Sequence, residues 1–307
     1  MFGMKKYNYD GFSRDLLMKD VITDKIGGPK PGDRAPDFEA RTLNGDKVKL
    51  KDFRSEKNVV LTFGSATCPF TAGSITGIKD LYDEYNGDDI QFLFVYAREA
   101  HPGEKMPAHS SMQDKTRAAE RFRDEEEIEM PIVVDDIDGD IHRKYGKLPN
   151  PTYVIDKSGR VAFRSLWTRP GIVEDALEEL LDAQQRRGTE HAVVNGGEDT
   201  TMPSTYAMLH TYRALERGGR RSIHDFRREM GLPGRVTVMG SRIAEPLTAN
   251  PKWTIAGALA TAGVITAGVL IGRALRERRL RARQPYYYEG YRPERKATGT
   301  DYEAVGI

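Results

Sequence analysis

Two short apolar runs rich in β-branched and aromatic residues, Val59–Phe63 and Ile90–Ala97, set the pattern of this chain. Each predicts a strand buried on both faces of a parallel or mixed sheet. Between them Pro69 suits the first position of a helix, and Ile75, Ile78, Leu81, Tyr82 and Tyr85 recur at helical spacing. Strand, helix, strand in that order calls for a right-handed parallel crossover. Ahead of this unit, Phe38–Leu50 forms two extended runs around Asn44-Gly45, a hairpin signal. Beyond it come a strand over Pro131–Val134, another starting at Asn150-Pro151, and a turn at Asp156–Arg160 leading into Val161–Leu166. These last two predict an antiparallel pair. Ser111–Glu127 predicts a charged surface helix, and Ile172, Val173, Ala176, Leu177, Leu180 and Leu181 mark the inner face of an amphipathic one. A short amphipathic helix over Ser13–Ile22 precedes all of this as a peripheral arm.

The pattern changes after Gln184–Gly188. Residues 188–250 are rich in Gly, Thr and Arg, with short helices expected over Thr205–Arg217 and Ser222–Met230. Thr254–Gly272 then contains no charge and is long enough to cross a bilayer at about 1.5 Å per residue. Trp253 flanks one end and Arg273, Arg276, Arg278, Arg279, Arg281 and Arg283 the other, which suits interfacial anchoring. The expected organisation is an arm over 1–29, an α/β domain over 30–185, a polar spacer or interaction segment over 186–250, a single transmembrane helix over 251–273 and a basic, Tyr-rich tail over 274–307. Small residues in the span favour close helix contact, so a homo-oligomer is a further expectation. The first ten residues lack the apolar core of a secretory signal, which places the α/β domain on the cytoplasmic side of the membrane. The arginine cluster argues for a cytosolic tail instead, and the orientation stays open. A net charge of +1 gives no ground for nucleic-acid binding.

Chemistry enters with Cys68, the one cysteine among 307 residues. An intramolecular disulfide is excluded, so a redox cycle needs an external thiol or a second copy of the chain. Cys68 sits at the strand-to-helix turn, where free amides and the positive end of the macrodipole favour thiolate. Glu99 and His101 follow the next strand, and catalytic groups of open α/β sheets gather at strand carboxyl ends. His101 is the candidate general acid, Glu99 the group that orients it, and Ser65 a hydrogen-bond donor to the sulfur that lowers its pKa. No cofactor or metal is expected. The acidic loop Asp135–Asp140 has the composition of a calcium loop but lacks the twelfth-position glutamate and flanking helices, and reads as a solvated turn.

Phe63-Gly64-Ser65-Ala66-Thr67-Cys68-Pro69 and Phe94-Val95-Tyr96-Ala97-Arg98-Glu99-Ala100-His101-Pro102 resemble, in order, two segments of the iodothyronine deiodinases. The resemblance covers residues 30–185 and implies a thioredoxin-like fold: a central mixed sheet flanked by helices, within the redoxin and peroxiredoxin group. It puts Cys68 where the family has selenocysteine and matches Ser65, Glu99 and His101 to family positions. It also makes Thr67, Pro69 and Pro151 residues that shape the active site, Pro151 as a cis proline facing Cys68. The implied activity is a thiol-dependent oxidoreductase acting on a small molecule or peroxide, with Cys68 restored by an external thiol or thioredoxin-type reductant. Sulfur replaces selenium here, and the loop Gly103–Met106 lacks the family's aromatic residue. A one-cysteine peroxidase is the second reading, although Leu61 stands where peroxiredoxins carry a proline. A membrane-tethered redoxin scaffold without turnover is the third.

Overall fold

Strand β3 (Asn58–Gly64) is buried along its whole length at the centre of the main sheet of the computed structural model, which describes residues 7–15, 27–87 and 89–248. β1 (Glu39–Arg41) and β2 (Lys47–Lys49) form the expected hairpin, with Gly45 at φ 89° supplying the left-handed turn that asparagine-glycine signals. After a 3-10 turn at Leu50–Phe53 come β3, α1 (Pro69–Tyr85), β4 (Ile90–Tyr96), α2 (Met112–Glu126), β5 (Ile132–Val134) and α3 (Asp140–Lys144). β6 (Thr152–Ile155), β7 (Val161–Ser165), α4 (Pro170–Arg187), β8 (Glu198–Asp199), α5 (Ser204–Gly218) and α6 (Arg220–Thr248) complete the described chain. The sheet order is β5-β4-β3-β6-β7-β8, with β3, β4 and β5 parallel and β6 antiparallel to both β3 and β7. This is the mixed sheet and helical flanking of a thioredoxin-like α/β domain.

Alternation divides the core. Val60, Phe92, Phe94, Tyr96 and Val154 face α1, α2 and α4, whereas Val59, Leu61, Phe63, Leu93, Val95 and Tyr153 face α3 and the hairpin. Full burial of each such side chain stabilises by roughly 1.5–3 kcal/mol, which is why two apolar runs suffice to fix the centre of the sheet.

Several expectations shift. Helix α2 is less a surface helix than its charge implies, because Lys115 and Glu126 are buried. Lys115 donates to the Asp136 carbonyl at 2.8 Å, and Glu126 pairs with Arg213 and Arg217 of α5. The acidic loop leaves Asp136, Asp138 and Asp140 exposed, as a solvated turn does, while Asp135 is buried and accepts the Ile141 and His142 amides at the start of α3. Residues 186–250 hold β8, which extends the sheet, and α5 and α6, of which α5 packs on α1 and α6 on α5. The second expected helix does end at Met230, where Gly231, at φ 63°, breaks it, and a further, unexpected helical stretch restarts beyond it, with Pro233 suiting its first turn. Gly103 is required by close approach: a β-carbon there would strike the Gly218 carbonyl.

Pro151 is not cis; no cis peptide bond occurs among the described residues. The Phe63 amide donates to the Pro151 carbonyl at 2.9 Å while Asn150 Nδ2 reaches the Phe63 carbonyl at 2.9 Å, so the ladder closes around a trans bond, the ordinary preference by about 0.5–1 kcal/mol. Among the described residues no helix is long and apolar enough to cross a membrane. The span expected over 254–272, the tail over 274–307 and residues 16–22 of the arm helix lie outside the described residues.

Candidate active site

Cys68 is the N-cap of α1, reached directly from the carboxyl end of β3. Pro69 occupies N1, where its missing N–H costs nothing, and Phe70 and Thr71 present the second and third amides of the helix. Those amides and the Thr71 hydroxyl favour the thiolate. Thr71 Oγ1 accepts the Ser65 amide at 3.4 Å. The hydroxyl that serves Cys68 is therefore Thr71's, not Ser65's. Ser65 Oγ instead accepts the Ala100 amide at 3.3 Å and ties the two loops together.

The expected lowering of the thiol pKa is overturned. Cys68 is 1% exposed. Burial pushes the thiol up, outweighing Thr71 and Phe70, and the Glu99 charge pushes the same way.

Glu99 organises the rim from beneath. Thr67 donates to its Oε2 twice, through the amide at 3.0 Å and the hydroxyl at 2.6 Å, and the Tyr96 hydroxyl donates to Oε1. Burial alone would raise this carboxyl, but the His109 ring, Thr67 and Tyr96 together hold it below the ordinary carboxylate range. His109 Nε2 lies 3.5 Å from Oε1, an ion-pair separation at which neither ring nitrogen makes a well-formed hydrogen bond. Tyr96 is pushed well above its usual range by burial and the Glu99 charge, so it stays a neutral donor. Its oxygen also accepts the Ala66 amide at 3.4 Å, so one carboxylate orders residues 66 and 67 beside Cys68.

His101 reaches the same rim by its backbone: its amide donates to Thr67 Oγ1 at 3.0 Å. Its ring does not act as expected. It is wedged between Phe12 and Phe226, at centroid distances of 4.3 and 5.5 Å, and Nδ1 has no partner among the described residues. Burial lowers its pKa to about 3, so the imidazole is neutral at pH 7 and lacks the imidazolium proton that a general acid would give. Glu99 orients Thr67 and Tyr96 rather than His101. Pro151 does lie at this rim, through its carbonyl on Phe63.

Segments outside the two motifs close the site. Arg217 of α5 donates to the Ala66 carbonyl at 3.3 Å and pairs with Glu125 and Glu126. Ser222 of α6 donates to the His101 carbonyl at 2.6 Å, and Glu104 accepts the Arg221 amide at 2.9 Å. From the arm, Tyr9 donates to the Ala100 carbonyl at 2.9 Å, and Arg98 lies 5.0 Å from the ring centres of Tyr7 and Tyr9. Sequence reasoning missed Thr71, Tyr96, His109 as a neighbour of Glu99, and Arg217. Thr71 alone had a local signal, the N-cap to N3 spacing from Cys68.

Two buried histidines make the fold acid-sensitive. His142 accepts the Tyr7 hydroxyl on Nδ1 at 2.7 Å, because Nε2 must donate to the Leu148 carbonyl at 2.6 Å. Burial lowers its pKa to about 3, as for His101. The unfolded chain therefore binds more protons than the folded one between pH 6.5 and about 3, and stability falls as pH falls through that window. Each group contributes about 1.4 kcal/mol per pH unit, so the two together cost about 3 kcal/mol at pH 5.5. Glu99 adds a loss of the same sign at lower pH, and Asp135, raised by burial, opposes it. Urea midpoints at pH 7.5, 6.5 and 5.5 check this; a flat profile would contradict neutral burial of both rings.

Residues 31–164 match the AhpC/TSA family. Among curated proteins the chain is similar to thyroxine 5-deiodinase of Gallus gallus, 32% identical over 41% of this chain and 52% of that one. It is also similar to type I iodothyronine deiodinase of Xenopus laevis, 28% identical over 43% of this chain and 55% of that one. The thiol-disulfide oxidoreductase ResA of Bacillus cereus is 28% identical over 42% of this chain and 66% of its own. The chain thus spans about half the length of these deiodinases. Among solved structures, peroxidoxin BcpB of Mycobacterium tuberculosis aligns with TM-score 0.34 at 22% identity, over 44% of this chain and 84% of that one.

Proposed function

We propose that the redoxin-like segment over residues 31–164 is the working part of a thiol-dependent oxidoreductase, with Cys68 as nucleophile and an external thiol as reductant. One observation carries the reading: the single cysteine caps α1 at the carboxyl end of the central strand, under the Phe70 and Thr71 amides and the Thr71 hydroxyl. With a peroxide, sulfur bonds to one oxygen as the O–O bond breaks. The proton released by the thiol ends on the leaving oxygen, and Cys68 becomes a sulfenic acid. One external thiol then displaces water to give a mixed disulfide, and a second releases a disulfide and restores Cys68. With an iodinated substrate, sulfur would take the iodine while the proton goes to carbon, and the same thiols would release iodide. Sulfur in place of selenium favours the peroxide. The names of the deiodinase relatives supply the iodinated alternative. Exchange with a protein disulfide, as the name of ResA suggests, would stop at a mixed disulfide until a second thiol arrived, because this chain holds no second cysteine.

The proposed role of residues 254–272 is to anchor this activity in a membrane with the redox domain on the cytoplasmic side. The test uses the full chain with excess thiol, offered hydrogen peroxide, an alkyl hydroperoxide and an iodinated phenol in turn. Thiol-dependent consumption of a peroxide with a dimedone adduct on Cys68 is the expected result, and iodide release would move the assignment to the deiodinase chemistry. No turnover and no adduct with any of the three leaves a scaffold.

A further inference from the structure

After the kink at Gly231, α6 is two-faced. Gly234, Val238, Ser241 and Ala244 are buried on its inner side, where the Tyr212 amide of α5 donates to Ser241 Oγ at 3.0 Å. Small residues there let the two helices approach closely. Leu232, Met239 and Ile243 are exposed by 46, 56 and 57% on the outer side. With the half-buried Val236 they fall at i, i+4, i+7 and i+11, one stripe of a helix about 16 Å long at 1.5 Å per residue. Exposed Arg235 and Arg242 border the stripe on one side, and residues 230–244 contain no acid. The Arg242 guanidinium lies 5.4 Å from the Tyr212 ring centre, which holds it at the stripe's edge.

The chain downstream of α6 limits what can cover this face. Six residues after Thr248 the uncharged stretch Thr254–Gly272 begins, with Lys252 and Trp253 just ahead of it. Six residues reach at most about 20 Å when fully extended. If that stretch is in a bilayer, the end of α6 is held within that distance of the membrane surface. An apolar stripe edged by arginines is what lies flat in such a surface, the apolar side chains at the acyl boundary and the guanidiniums among anionic headgroups.

We propose that the outer face of α6, Leu232, Val236, Met239 and Ile243 with Arg235 and Arg242, is a second membrane contact that lies in the headgroup layer of an anionic bilayer. It rests on the membrane reading of residues 254–272 and is independent of the chemistry at Cys68. The test places the full chain in vesicles of phosphatidylcholine and phosphatidylglycerol. In a Cys68→Ser background, an environment-sensitive fluorophore is attached at Met239→Cys or, as control, at Lys51→Cys, an exposed position in the 3-10 turn on the opposite side of the sheet. At 239 the expected result is a blue-shifted emission, severalfold weaker quenching by aqueous iodide and strong quenching by a spin label near the lipid headgroups. The probe at 51 stays wet. Arg235→Gln with Arg242→Gln, or vesicles of phosphatidylcholine alone, should weaken the shielding at 239. A probe at 239 that stays wet while the chain floats with the vesicles overturns the contact and leaves the anchor standing. Shielding from iodide without lipid quenching assigns the face to another part of this chain or to a second copy, and also overturns it. A chain that does not float overturns both readings.

Discussion

Cys68→Ser is expected to abolish turnover and leave the fold intact. The substitution changes one buried atom at an N-cap, a position where serine is favoured, so stability should hold or rise slightly. The chemistry should not survive, since an alcohol under the same amides and Thr71 hydroxyl stays protonated and is a poor soft nucleophile. Loss of a nucleophile typically costs on the order of 10⁴- to 10⁶-fold in rate. Thr71→Val separates the nucleophile's identity from its activation. It removes the hydroxyl that favours the thiolate, so alkylation of Cys68 should slow at neutral pH and approach the wild-type rate in alkali, where both thiols are ionised. A Cys68→Ser protein that still turns over peroxide, with its mass confirmed, would end the proposed role of this residue.

Arg217→Ala should make Cys68 far more reactive, not less. The site is closed by α5 and α6, and Arg217 joins three parts of that closure: Glu126, Glu125 and the Ala66 carbonyl close to Cys68 in the chain. Arg217 is 7% exposed and Glu126 6%. Removing one member of a buried pair typically costs about 3–5 kcal/mol, and the surviving contact from Arg213 to Glu126 at 2.8 Å keeps the cost near the lower end. If reagent reaches sulfur through local opening of the two helices, about 3 kcal/mol corresponds to an acceleration of roughly 100-fold. Opening would also rehydrate the sulfur, removing the main reason its pKa stands high. Iodoacetamide labelling against urea concentration is the measurement: a fast rate with weak urea dependence means local opening. An unchanged labelling rate, beside a measured loss of global stability, would show that the helices do not gate the thiol.

Much of the fold was legible along the chain. Val59–Phe63 and Ile90–Ala97 announced the central strands because burial on both faces leaves little room for polar residues, and their order around a helix required a parallel crossover. Asn44-Gly45 announced the hairpin because few other residues take a left-handed turn cheaply. Pro69 after Cys68 announced a helix start, and with it the place of the thiol. These are effects of neighbours along the chain, and a sequence displays neighbours.

Electrostatic state was set only in three dimensions. Cys68 and His101 have the right residue types and the right position, yet their protonation depends on how much water reaches them. Phe12 and Phe226 enclose the His101 ring and Arg217 binds the Ala66 carbonyl near Cys68, from between 56 and 158 residues away from Cys68 in the chain. The role expected of Ser65 passed to Thr71 because Ser65 Oγ is taken by the Ala100 amide, while Thr71, three residues into the turn of the helix, favours the thiolate. The partner expected for His101 went to Thr67 and Tyr96, since Glu99 points back beneath the loop. Local order along the chain was enough to fix where the thiol sits: on the turn between a buried strand and a helix beginning at proline. Whether that thiol carries charge was left to packing, because desolvation is the work of every chain segment folded around it, and no spacing along the chain records that packing.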